Sequence, residues 1–436
     1  MTPEAIRDVC KQRTLFSWSA RGALDPMVIE RAEGVHFTTA EGKRYLDLNS
    51  QLMSVHVGHA HPRVLAAMRA ATNDLVYCAP SAVSRQRAEL SELLATLLPE
   101  ELGTFFFTLA GADANENAIR MAHQFTGRQK ILARHRSYHG ATHRMLAISG
   151  DSRRDRVPPL PGVVHVDDPW SLSFESGGAP DDYVDRAVSA LETTIENAGP
   201  NTFAAMIVEV VPGSNGILPP PTGYLAKVKA LLERHGIVMI CDEVMTGFGR
   251  TGKMFAFEHE GFVPDLVTMA KGLTSSYVPL GGVAIHERIA RHFDDHVYWG
   301  GLTYNAHAYC LGVAKANVEV IVDERLADNA ARVGDHLEAR VEEMKRAHPS
   351  IRELRRRGLF AAIELKDPET DAPLSPVGGP LSAAAKSVVG GLKKRGVYAL
   401  MRWSNLFVVP PLCITTDELD EGLDAIESTL QELEAN

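Results

Sequence analysis

Six short apolar runs, at 104–109, 130–133, 163–166, 204–208, 237–241 and 266–269, alternate with helical patterns through the middle of the chain. No other feature constrains the fold as much. Between the runs, stretches such as 114–125 and 224–234 carry apolar residues at helical spacing. Short apolar strands separated by helices are the mark of a mostly parallel sheet covered on both faces. The pattern therefore predicts an α/β fold with a large central sheet.

The two ends read differently. Residues 29–62 predict a helix-free, turn-rich segment with a hairpin around Ala40-Glu41-Gly42. Past about residue 315 the chain turns helical and charged, then gives strand-like runs at 359–365 and 406–409. A last helix is expected from Thr415, where Glu418 completes a capping box and Leu419, Leu423, Ile426, Leu430 and Leu433 share one face. The expected organisation is an N-terminal segment, 1–65, joining a small domain; a large domain, 66–314; and the C-terminal part of the small α+β domain, 315–436. The stretches 171–182 and 367–380 read as exposed loops.

With 436 residues, 45% of them hydrophobic, the chain can bury a large core. Its net charge of −10 is scattered, so it lacks the basic stripe that nucleic acid requires. Five cysteines without a CxxC pair predict reduced thiols in a cytoplasmic protein. The acidic N-terminus predicts no signal peptide, and no apolar run is long enough to span a bilayer.

Three strands end in ionisable residues: one in Glu209, one in Asp242-Glu243 and one in Lys271. Side chains at the carboxyl ends of parallel strands converge on the crevice where ligands bind. A structural ion pair would give the same pattern. The turn from 109 to 116 bears Gly111 between a strand and a helix, which offers backbone N–H groups to a phosphate. Tyr138-His139-Gly140 follows the next strand, where an aromatic ring can stack on a planar ligand or simply pack.

Taken together, Gly111-Ala112, Tyr138-His139-Gly140, Glu209, Asp242-Glu243-Val244, Gly247-Phe-Gly-Arg-Thr-Gly252, Lys271-Gly272 and Gly301-Leu-Thr303-Tyr304 resemble the class III aminotransferases, or ω-transaminases. The likeness runs from Phe16-Ser-Trp18 to Pro410-Pro411-Leu412. It implies the fold type I architecture of pyridoxal-phosphate enzymes, a homodimer with its active site at the subunit interface, and a ping-pong reaction. The implied roles are specific. Lys271 would be the Schiff-base lysine and the acid–base group. Asp242 would hold the cofactor's ring nitrogen protonated. Val244 and Tyr138 would sandwich the ring, with His139 beside them and Glu209 on the substrate side. Gly111 and Ala112 would bind the phosphate, and Thr303 the phosphate of the neighbouring subunit.

The chain departs from the family pattern at Ala112, where a hydroxyl residue is commoner, at Asp113 in place of Glu, and at Asn305. Within the family, Trp18, Leu52 and Met53 would line the substrate entrance, and Arg402 would bind the acceptor's carboxylate. The wording is closest to the pyruvate-linked branch, so the expected reaction moves an amino group from an amine or ω-amino acid to a keto acid, pyruvate. The alternative is an aminomutase, racemase or decarboxylase on the same scaffold. Two motifs mislead. The run 247–253 nearly spells a nucleotide-binding loop, but Met254 replaces the hydroxyl residue. His56, His59 and His61 are spaced poorly for zinc, and His292 with His296 lacks the glutamate of a metalloprotease; no metal is expected.

Overall fold

The computed structural model describes residues 1–170 and 182–435. The six apolar runs become strands of one sheet: β1 (Thr104–Thr108), β2 (Lys130–Arg134), β3 (Val163–Val166), β4 (Phe203–Glu209), β5 (Val238–Asp242) and β6 (Leu266–Met269). A further strand, β7 (Gly281–Ile285), inserts between β1 and β6, giving the order β1-β7-β6-β5-β4-β2-β3. Neighbours from β6 through β3 run parallel. Only β7 is antiparallel to both its partners. Its opening Gly281-Gly282 gives little strand signal, which is why periodicity did not predict it.

The central strands are buried on both faces, as their unbroken apolar runs require. Every residue of β4 and β5 is buried. Ala205, Ile207, Val238 and Ile240 face the helix α1 (Gly111–Thr126), which contributes Ala118, Ile119 and Ala122. Met206, Val208, Met239 and Cys241 face the opposite layer, with Leu225, Val228 and Leu232 of the helix Tyr224–Arg234. With helices on both faces, the strands' carboxyl ends are left open.

Both termini share the smaller part. The strands Ile29–Glu33, His36–Thr39 and Arg44–Asp47 form an antiparallel meander, turning at Gly42, that Val397–Tyr398 joins in parallel. A second antiparallel sheet combines Ile351–Arg357, Phe360–Leu365, Asn405–Val408 and Met401–Arg402. The last helix, Thr416–Glu434, has the expected box: Thr415 Oγ1 accepts from Glu418 N at 3.2 Å, and the Glu418 carboxylate accepts from Thr415 N at 2.9 Å.

Two expectations need correction. Residues 29–62 are not helix-free, because a helical turn, Ser50–Met53, forms with Gln51 and Met53 at positive φ. Ile351–Arg357, inside the stretch expected to be helical and charged, is a strand: Ile351 and Leu354 pack on the core while Arg352, Arg355 and Arg356 pair with carboxylates. The expected loop at 171–182 lies, but for Asp182, outside the described residues. No helix among the described residues is long and apolar enough to cross a membrane.

Candidate active site

The parallel register lines up the chemistry. Glu209 at the end of β4 pairs with Asp242 at the end of β5, and Asp242 lies opposite Thr268 of β6. Lys271 follows two residues beyond β6. A cavity of about 360 Å³ opens over these strand ends, and its walls include Ala112, Tyr138, Glu209, Asp242, Val244 and Lys271.

Lys271 reaches the cavity from a backbone at φ 40, a left-handed conformation rare for a side-chain-bearing residue. Lys271 is half-buried on the cavity wall, and loss of water around its amine pulls the ammonium down to about 8 against the pull of Asp242 and Glu209. Its neighbour Gly272 has a steric reason: a Cβ there would lie 2.4 Å from the His56 ring. That ring is itself fixed on Phe248 O at 3.1 Å. The misleading glycine-rich run is thus the packing partner of the lysine turn. Its Arg250, fully buried, donates to Pro410 O at 2.6 Å and Leu359 O at 3.2 Å and so joins the two parts of the chain.

Asp242 is held by neutral donors and one histidine. Its Oδ2 accepts from His139 Nδ1 and from Asn115 Nδ2, each at 2.8 Å, and its Oδ1 accepts from Val244 N at 3.1 Å. Asn115 also donates to His139 O at 2.8 Å and accepts from Thr268 Oγ1 at 2.6 Å. The sequence reading missed Asn115 and Thr268. The one available signal was an asparagine just inside a helix, where it disfavours the helix unless its amide is used elsewhere.

The turn into α1 is built for an anion. The first helical bond runs from Ala114 N to Ala110 O, so the N–H groups of Gly111 and Ala112 are not used by the helix. A Cβ on Gly111 would sit 2.8 Å from both Val244 methyls, so this turn closes directly on the cavity wall. Asp113 turns its carboxylate back to accept from Leu109 N at 3.0 Å.

On the outer side, Glu209 accepts from Tyr138 N at 2.8 Å and Gly213 N at 3.0 Å, and burial raises its pKa. Trp18, 62% exposed, meets the Tyr138 ring edge-on at 6.1 Å. Arg402 sits at the end of a hairpin, its guanidinium 4.4 Å from the Trp403 ring and 3.4 Å from Asp151 Oδ2. Arg153, not anticipated from sequence, stacks on Tyr138 at 3.6 Å. Leu52 is 70% exposed, but Met53 is 4% exposed and packs with Val211, Ile217 and Phe360, behind the wall instead of on the entrance. Thr303 is exposed and off the cavity wall, with its carbonyl accepting from Tyr77 OH at 2.8 Å.

The histidines read as a decoy have other partners. His59 pairs with Asp47 and His61 with Glu324, while His292 and His296 stack on each other at 4.1 Å.

A partly desolvated lysine, a carboxylate held on one edge by donors, and free N–H groups at a helix start together suit a flat, phosphorylated aldehyde with a basic ring nitrogen. Fold and site thus define a pyridoxal-phosphate enzyme of fold type I. Residues 18–430 match the family described as aminotransferase class-III, and the chain belongs to that family. Pyridoxal 5′-phosphate is its cofactor and amino transfer its chemistry. Among solved structures, the chain is similar to a taurine:2-oxoglutarate aminotransferase from Bifidobacterium kashiwanohense, in complex with PLP and glutamate: TM-score 0.95, 34% identity, 100% of this chain and 99% of that one. It is also similar to an (S)-enantioselective ω-transaminase from Thermomicrobium roseum: TM-score 0.92, 33% identity, 99% of this chain and 98% of that one. A curated relative, putrescine–pyruvate aminotransferase from Pseudomonas aeruginosa, is 29% identical over 94% of this chain and 91% of its own.

Proposed function

We propose that this aminotransferase carries an amino group from an amine or ω-amino acid donor to pyruvate by a ping-pong mechanism. The observation that carries the acceptor reading is Arg402, whose guanidinium is linked to the cavity's Tyr138 through Asp151 and Arg153 and has one long hydrogen bond, to Asp151. A loosely held fork is suited to a small carboxylate that must come and go.

The bound cofactor supplies an electrophilic carbon and an electron sink. Everything else falls to the chain. Lys271 Nζ would anchor the cofactor, then take the proton from the substrate's amine-bearing carbon and deliver it to the cofactor's electrophilic carbon. Asp242 keeps a proton on the ring nitrogen, and Asn115 with His139 holds that carboxylate in place. Gly111 and Ala112 offer N–H groups to the phosphate, and Val244 and Tyr138 confine the ring. Glu209 anchors the Tyr138 backbone and so the substrate side. Thr303 would complete the phosphate site of a second subunit in a dimer.

The test is a panel of amines and ω-amino acids against pyruvate, read by alanine formation. Rapid turnover with at least one donor supports the reading. Turnover with 2-oxoglutarate alone would replace pyruvate by a dicarboxylic acceptor, a second reading that the likeness to a taurine:2-oxoglutarate aminotransferase favours. Release of carbon dioxide, racemisation or isomerisation without any need for a keto acid would move the enzyme to one of the alternative reactions.

A further inference from the structure

The arginine read as the acceptor's partner already has a competitor in the chain. Asp151 is 6% exposed. It accepts from Arg153 Nε at 3.0 and 2.9 Å, from Arg153 N at 2.9 Å and from Arg153 Nη2, whereas its contact to Arg402 Nη2 is one bond of 3.4 Å. Arg153 is fixed further by Ser214 Oγ at 2.7 Å and by the Tyr138 ring. Glu209, the other carboxylate on this side, spends its oxygens on the Tyr138 and Gly213 N–H groups. Two guanidiniums therefore share one carboxylate, and only Arg402 is bound weakly enough to leave.

We propose that Asp151 is a positioning residue that parks Arg402 when no substrate anion is present and so sets the balance between anionic acceptors and uncharged donors. The inference rests on Arg402 being the acceptor's partner. A substrate carboxylate offers the fork two parallel bonds and displaces the single long one. When a donor without an anionic group occupies the site, Asp151 takes Arg402 back, so that no half-buried guanidinium is left without a counter-charge. Arg153 stays throughout, keeping Asp151 ionised and in place. Trp403 reports the exchange, since the guanidinium lies against its ring in the parked state.

The experiment compares wild-type, Asp151→Asn, Asp151→Glu and Arg402→Ala holoenzymes. Propionate, an unreactive carboxylate, is titrated by tryptophan fluorescence without turnover, and KM is measured for pyruvate and for isopropylamine. Asp151→Asn removes the competing charge while keeping an oxygen for Arg153. It should bind propionate about fivefold more tightly and lower the KM for pyruvate by a similar factor, the size of a partly exposed ion pair. Its KM for isopropylamine should rise, and Asp151→Glu should stay near wild type. Opposite signs for acid and amine are the signature, because a merely damaged pocket would weaken both. Parallel losses, or no change in either, overturn the proposal while leaving Arg402 in its role. If Arg402→Ala binds propionate as wild type does, the acceptor reading falls and the parking role falls with it.

Discussion

An ordinary lysine is almost wholly protonated at neutral pH, with roughly 0.4% free amine at pH 8. Lys271, pulled down to about 8 by burial, is about half free at that pH. Capture of pyridoxal phosphate by the apo-protein, followed by visible absorbance, should therefore accelerate from pH 6 to about 8 and level off above it. A rate still climbing tenfold per unit at pH 9.5 would show an unperturbed lysine. Lys271→Ala should stay folded but lose the covalently bound cofactor's absorbance band and turnover together. Asp242→Asn should slow the half-reaction by several orders of magnitude, because an amide cannot hold a proton on the ring nitrogen; single-turnover rates within a few-fold of wild type would remove that role. Arg402→Ala should raise the KM for pyruvate about ten- to a hundredfold, the loss of a charge-assisted bidentate contact of ~1.5–3 kcal/mol. Steady-state kinetics with an uncharged donor should change much less, and equal losses on both substrates would make Arg402 structural.

At the scale of elements, the buried strands were legible because a run apolar on both faces has few other uses. The cap of the last helix was legible because Thr415 and Glu418 lie three residues apart. The strands that escaped had a glycine pair, in β7, or a charged surface, in Ile351–Arg357, where Arg355 bonds Glu353, Glu364 and Asn405. The hairpin carrying Arg402 is braced by this arginine, which also reaches Gly216 O at 3.2 Å. Arg250 does the same between the glycine-rich run and Pro410. Arg250→Ala should cost about 3–5 kcal/mol, since buried carbonyls lose their donor and a void is left. Chemical denaturation of the apo-protein checks this, and a loss below about 1 kcal/mol would show that the junction does not depend on Arg250.

At the scale of the whole molecule, one chain leaves apolar surface that needs a cover. Val76, Tyr77 and Val83 are exposed, as are Trp299, Leu302 and Tyr304, and Tyr77 contacts both Tyr304 and the Thr303 carbonyl. Exposed apolar side chains around Tyr77 and Tyr304 would suit an association surface. The proposed homodimer would bury it and bring Thr303 to the partner's phosphate site. Sedimentation should find dimers at assay concentrations, and Thr303→Ala should release cofactor faster from dimers that remain intact. Active monomers, or unchanged cofactor retention, would contradict this arrangement.

The α/β class, six strands of the main sheet, and the placing of Glu209, Asp242 and Lys271 at or just past strand ends were all legible in the chain's local pattern. These are consequences of local periodicity, which each segment carries within itself. Packing in three dimensions was needed to set Asn115, braced by Thr268, against Asp242, to let Arg153 and Arg402 share Asp151, and to turn Met53 into the core while Trp18 meets Tyr138. Those contacts join residues far apart in the chain through strand order and side-chain direction. Neither has a period in the sequence, so neither could be read before the chain was folded.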